Sequence, residues 1–385
     1  MYPLLDACQN ITADHRANLD VHLNTQVTNL QSSGDETGCP RLTPVDLGQS
    51  TSSTRINVTA CKEVILSAGV IGTPKILMQS GVGPAPPLEA PNISTVVDLP
   101  SVGKLDRPSL DCSSLTVDAN TTVDPLFQRE AAMEQALQDW NDTRRGPYTD
   151  TAANTIAMLH LPQNTCILSF TPDPAAGPLS GNEQLLFAEG FVPLSNIPLP
   201  SSGNYITILS IATSPTSRGS VTIKSTDPFS PPVIDPNYLA IEFDQYTAVQ
   251  AMRDVFTILF TQAFQNYVSA PYGSLAGLVT DEELLEYVRH HGVAINHGVG
   301  TAKMSPKDAA WGVVDPDLRV KGVEGLRIVD ASVFPEIPEC NTMALVYILA
   351  EKAADITRKT YGLMLEHARD ETARRTRDEM SNLDE

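Results

Sequence analysis

The chain has 385 residues, of which 42% are hydrophobic and 19% charged, and carries a formal net charge of -20. This length can bury one large core or two, and the composition is ordinary for a globular protein. The acidic balance argues against nucleic acid or an anionic membrane surface as a partner, and no apolar run is long enough to span a bilayer. Cys8, Cys39, Cys61, Cys112, Cys166 and Cys340 form no C-x-x-C pair. That spacing argues against a metal cage, and the size against a dense disulfide scaffold; one or two bridges stay open. Met1 to Asp6 offers no basic n-region and no long h-region, so no secretory signal is expected there. The N-x-Ser/Thr sequons at Asn10, Asn57, Asn92, Asn120 and Asn141 are weak evidence for a longer parent that enters the secretory path.

Leu19, Val21, Leu23, Thr25 and Val27 alternate with polar residues, which predicts a half-buried strand. Residues 31–55 are rich in Ser, Thr, Gly, Asp and Pro and read as a surface loop. Val64 to Leu66 read as a short buried strand, Ser67-Ala68-Gly69 as a tight turn, and Thr73-Pro74 as the start of a helix that Ser80-Gly81 ends. Such a unit can bring backbone close to a ligand, although small-residue turns are also common as plain connections. Val123 to Asn141 is expected to be helical, with Gly146-Pro147 as its stop. Tyr205 to Ile211 has strand periodicity. Ser214 to Val221 and Pro232 to Tyr238 read as an antiparallel pair between Gly and Pro turns. Arg218, in that run, fits an ion pair better than chemistry. Asp244 to Phe264 is an amphipathic helix with Met252, Val255, Phe256, Leu259 and Phe260 on its core stripe. Thr280-Asp281-Glu282-Glu283 is a capping box for a helix ending near His290-His291-Gly292. Adjacent histidines point to different faces, so a role at the helix dipole outweighs metal binding.

His297 stands among small residues in Asn296-His297-Gly298-Val299-Gly300-Thr301. Leu326 to Val329 form a strand that runs into Asp330-Ala331-Ser332. Asn341-Thr342-Met343 opens a long apolar helix, where Asn341 also suits a plain N-cap. An acid at a strand end can bond a ribose or ribityl hydroxyl.

The run V-I-L-S-A-G-x-I-x-T-P-x-x-L-x-x-S-G-V-G-P around residues 64–84 resembles a signature of the glucose–methanol–choline (GMC) oxidoreductases. The segment Leu99 to Asp106, the Pro215 to Tyr238 run and the H-x-V-G-T-x-x-M-like stretch at His297 resemble further motifs of that family. The resemblance covers roughly 15–362 and is fungal in type, with secondary metabolism as a suggested setting. It implies an α/β (α+β) fold, a truncated FAD-binding domain with an inserted antiparallel-sheet substrate domain. The implied divisions are 1–107 and 296–362 for the FAD side, 108–295 for the substrate side, and 363–385 as a charged tail. It implies FAD as cofactor and a small-molecule alcohol as substrate. His297 becomes the catalytic base and Asn341 the group that orients the substrate oxygen. Val27, Asp330, Ala331, Thr342 and Met343 become flavin-binding positions, and no metal is implied. The family's opening G-x-G-x-x-G unit, which would take the FAD diphosphate, is absent from this sequence. Three readings follow: an alcohol oxidoreductase, a non-redox cyclase of the same family, or a flavin-free remnant. Loss of that unit also predicts exposed apolar edges.

Overall fold

The computed structural model describes all residues except 1–18, 35–38, 86–87, 89–91, 107–108, 119–120, 150, 152, 195–196 and 364–385. The charged tail expected over 363–385 therefore lies almost entirely outside the described residues. Among the described residues no helix is long and apolar enough to cross a membrane.

The first strands, β1 (Gln26–Leu30), β2 (Pro44–Gly48) and β3 (Ile56–Thr59), form an antiparallel sheet in that order. The alternation from Leu19 becomes a strand only at Gln26, where β2 supplies partners; Leu19, Val21 and Leu23 are exposed. Periodicity marks which side chains could face a core, but backbone pairing decides where a strand starts. β2 lies inside the stretch expected to be loop. Its Pro, Asp and Gly are poor strand formers, and pairing on both edges overrides them.

Next, β4 (Val64–Leu66) leads through a two-residue turn into helix α1 (Gly69–Gln79). The helix begins at Gly69, earlier than Thr73-Pro74 suggested, so Pro74 lies inside it. Proline has no N–H for the carbonyl one turn back. That carbonyl, on Val70, accepts a 2.8 Å bond from the Thr301 hydroxyl instead. At the other end, the Ser80 hydroxyl donates to the Ile76 carbonyl and accepts from the Leu30 N–H, which fastens β1 to α1.

Strands β5 (Val82–Gly83) and β6 (Val97–Asp98) pair in parallel, and β7 (Lys104–Leu105) follows. Gly103, just before β7, has φ +83°, and a Cβ there would stand 2.2 Å from the Val221 carbonyl, so only glycine fits.

The largest sheet is antiparallel. It joins β8 (Ser109–Val117), β9 (Thr155–Leu159), β10 (Glu183–Ala188) and β11 (Asn204–Ala212) in the order β8-β11-β10-β9. The helix expected over 123–141 is two, α2 (Asp124–Gln128) and α3 (Glu130–Thr143), separated by Arg129 in an extended conformation. The buried Asp124 carboxylate accepts the N–H groups of Phe191 and Tyr205, both at 2.8 Å, which holds the first piece against the sheet. β12 (Gly219–Thr222) and β13 (Val233–Asp235) form the expected antiparallel pair, and β12 also pairs with β7.

Helix α4 (Glu242–Leu259) crosses one face of the large sheet. Met252 and Val255 are fully buried, while Phe260, just past its end, is exposed, so the core stripe stops earlier than expected. β14 (Val268–Pro271) and the short β15 (Val293–Ala294) both pair with β8. Between them, α5 (Asp281–His291) starts at the capping box of Thr280 and Glu283 and stops at Gly292. Finally β16 (Leu326–Ile328) lies parallel to β4, and α6 (Thr342–Thr360) closes the described chain.

Separate apolar clusters hold the two halves. Leu66, Leu77, Met78, Val314, Leu326, Ile328 and Ala353 belong to a core built from residues on both sides of the large sheet's sequence. Leu115, Leu185, Ile208, Ala251 and Val255 pack the sheet against α4.

Candidate active site

The parallel pair β4–β16 brings two strand ends side by side, and Asp330 joins them. Its Oδ2 accepts the Gly69 N–H at 3.0 Å and the Thr73 hydroxyl at 2.6 Å; its Oδ1 accepts the Ser332 N–H at 2.8 Å. The carboxylate thereby caps two turns at once and is nearly buried. Next to it, the Ala302 N–H donates to the Ser332 carbonyl and the Met304 N–H to the Val333 carbonyl, both at 2.8 Å. A longer bond, 3.4 Å, runs from the Gly300 N–H to the Ala331 carbonyl. The His297 segment is thus laid along Asp330-Ala331, and these two sequence-predicted regions are brought together.

His297 owes its place to an irregularity in pairing. Ala294 pairs with Ser109, and Val299 bridges Asp106. Four residues lie between Ala294 and Val299 and two between Asp106 and Ser109, so the histidine side carries two extra residues. Asn296 takes up the slack with φ +62°, a conformation asparagine tolerates. His297 is half-buried, and loss of water around the ring pushes its pKa below the usual histidine value. The imidazole is therefore neutral at pH 7, as a proton acceptor must be.

A buried charge cluster anchors the same segment. Asp106 is fully buried, with Lys303 Nζ at 2.7 Å and Arg218 Nε at 2.9 Å; Arg218 also reaches Glu336 at 3.4 Å. Arg218 is the ion-pairing residue its sequence context suggested. Asp106 and Lys303 carried no such assignment, although both sit inside the recognised motifs. Their signal was the presence of single charges in runs of small and apolar residues.

Asn341 and its neighbours lie at the N-terminus of α6. The Asn341 side chain makes no capping bond, so the plain N-cap role is not the one it plays. Asn341 is exposed, Thr342 half-buried, and Met343 72% exposed. Uncapped N–H groups at a helix start present partial positive charge. Val27 is elsewhere, on β1, packed against the core beside a register shift in the β1–β2 pair.

The described chain has counterparts among known proteins. The N-terminal GMC oxidoreductase model matches residues 10–105, and the C-terminal one matches 215–350. The chain belongs to the GMC oxidoreductase family. It is 37% identical over 374 residues to dehydrogenase eriK of Hericium erinaceus, covering 92% of this chain and 60% of that protein. It is 36% identical over 354 residues to pyranose dehydrogenase 2 of Leucoagaricus meleagris, covering 89% and 57%. Versicolorin B synthase of Aspergillus parasiticus is 35% identical over 300 residues, covering 77% and 46%. Among solved structures, formate oxidase of Aspergillus oryzae superimposes with a TM-score of 0.80 at 28% identity, covering 88% of this chain and 60% of that one. A fungal aryl-alcohol oxidase gives 0.74 at 28% identity, covering 91% and 62%. The GMC chain described here therefore spans about three-fifths of the length of the first two curated relatives. FAD is the cofactor to which these GMC relatives point.

The residues present fit one end of FAD. The exposed, uncapped start of α6 suits the electron-rich edge of a flavin ring. At Gly69 a Cβ would meet nothing within 4 Å, so the backbone after β4 faces open space. For the diphosphate end this sequence offers no G-x-G-x-x-G turn.

Proposed function

We propose that this chain carries the catalytic half of an FAD-dependent oxidoreductase that oxidises an alcohol. The observation that carries the reading is His297: half-buried, its pKa lowered by loss of water, at a pairing irregularity that leads into the segment bonded to Ala331, Ser332 and Val333. In this reading Nε2 or Nδ1 of His297 takes the hydroxyl proton, because a neutral imidazole is a competent base near pH 7. Asn341, with its amide free of capping duty, orients the substrate oxygen. The backbone at Ala331, Thr342 and Met343 lines the flavin ring, and FAD, when bound, accepts the hydride. Asp330 supports that wall through its three bonds. Val27 stands as a more remote flavin-binding position, and the FAD side as a unit of 1–107 and 296–362 around the 108–295 substrate side.

The names of eriK and pyranose dehydrogenase 2 support dehydrogenation, and a fungal secondary-metabolic setting is part of the same reading. Versicolorin B synthases supply the second reading, a ring closure by the same base without net oxidation. The visible spectrum of the purified chain, with and without FAD, is the first test. Flavin bound near one per chain, bleached by an alcohol in the wild type and not in His297→Ala, is the expected result. Bleaching undiminished in His297→Ala would remove the histidine from its role. Product formed with no electron acceptor consumed would favour ring closure.

A further inference from the structure

Leu159 and Glu183 are partners in the β9–β10 pair, so the whole of 160–182 leaves the sheet and returns at one rung. Its first half is fixed. Leu161 and Ile167 bury themselves against Phe243 of α4, with Leu168 and Tyr246 packed around them. The Asp173 carboxylate gathers the base, with His160 Nε2 at 2.9 Å, the Asn182 amide at 2.9 Å and the Ala175 N–H at 3.0 Å. The second half reaches across the molecule. The Ala176 N–H donates to Glu339 Oε1 at 2.8 Å, two residues ahead of Asn341. Between the two segments lies a cavity of about 370 Å³, with Pro174, Ala176, Pro215, Arg218, Ile337 and Pro338 in its walls.

The segment from Pro335 to Cys340 has no regular structure, and the Asn341 side chain holds nothing at the helix start. Asn341 is held from one side by α6, whose Ala353 is in the core, and from the other by what ties the residues before it: Arg218 on Glu336 and Ala176 on Glu339. The reaching half is tied at Gly181 by the Thr213 and Ser214 hydroxyls and at Ala176 by Glu339. Phe170 at one end is 80% exposed, and Leu179 at the other is fully exposed.

We propose that residues 171–181 form a strap that sets the position of Asn341 through Glu339. Glu339 is a positioning residue, acting on the site through the chain it holds. The mechanical coupling is a property of this chain alone; its catalytic meaning rests on the role proposed for Asn341.

Hydrogen exchange on the full chain tests the coupling without flavin or turnover. Glu339→Ala is expected to raise exchange in both 171–181 and 336–343 by about tenfold, leaving β11 unchanged. Glu339→Gln keeps an oxygen that accepts from the Ala176 N–H and is expected to restore most of the protection. Asp173→Asn, which loosens the base, is expected to raise exchange in 336–343 as well. An increase in Glu339→Ala confined to 336–343, or a Gln variant no better protected than Ala, would overturn the strap. Failure of the alcohol-oxidation reading would leave these exchange results as they stand, so the two ideas fail separately.

Discussion

Asp330 shows how one side chain can look like a ligand group and act first as a structural joint. Its two oxygens accept three hydrogen bonds from the chain, from Gly69, Thr73 and Ser332, and are nearly closed off from water. Bonds to a charged acceptor contribute about 1.5–3 kcal/mol each before losses are shared. Asp330→Ala should therefore lower stability by about 3 kcal/mol, with Asp330→Asn in between, as read by urea unfolding. Stability unchanged in Asp330→Ala would show that the junction is held by backbone pairing alone. The motif placed this residue correctly at a strand end. Its three partners were not legible, since they come from positions more than 250 apart in sequence as well as from its own turn.

At the scale of elements, the His297 segment is positioned by charges that sequence reading left without a role. Asp106, just past β7, is closed to water and holds the largely covered Lys303 on one side and the more exposed Arg218 on the other. Removing one member of a buried pair strands the other, which costs about 3–5 kcal/mol. Asp106→Ala should reach the lower end of that range, about 3 kcal/mol, because Arg218 is partly exposed and can turn outward. The measurement is chemical unfolding together with exchange at 297–304, which should rise in the variant. The same scale explains the early start of α1. Sequence rules put Pro74 in the first turn, yet the helix tolerates it further in because Thr301 satisfies the Val70 carbonyl.

At the scale of the whole molecule, one buried carboxyl is expected to make stability fall as pH rises. Glu183 of β10 faces Asp254 of α4; burial first, and the neighbouring carboxylate second, push the Glu183 pKa up to about 9. From the ordinary carboxyl range up to that value, the folded chain keeps a proton that the unfolded chain has released. Stability must then fall as pH rises through this window. Urea midpoints should decline steadily from about pH 5 to about pH 9, and Glu183→Gln should flatten the decline. A slope equally steep in the Gln variant would place the effect elsewhere. The molecule also leaves apolar surface uncovered: Ile65 on β4 and Met343, Tyr347 and Ile348 on α6 are all exposed. They lie on the elements that assemble the site, β4 and α6.

The sequence by itself determined the family, the β4–α1 unit, the β12–β13 pair and the capped helix α5, because each depends on local backbone needs written in contiguous residues. It also pointed to His297, Asn341 and Asp330 through motif likeness. Tertiary structure alone decided where β1 begins, that β2 exists, that Arg129 breaks a helix, and that the Asn341 side chain makes no capping bond. It also decided which charges anchor His297. Those outcomes depend on partners far away in sequence, whose hydrogen bonds and burial override local propensity.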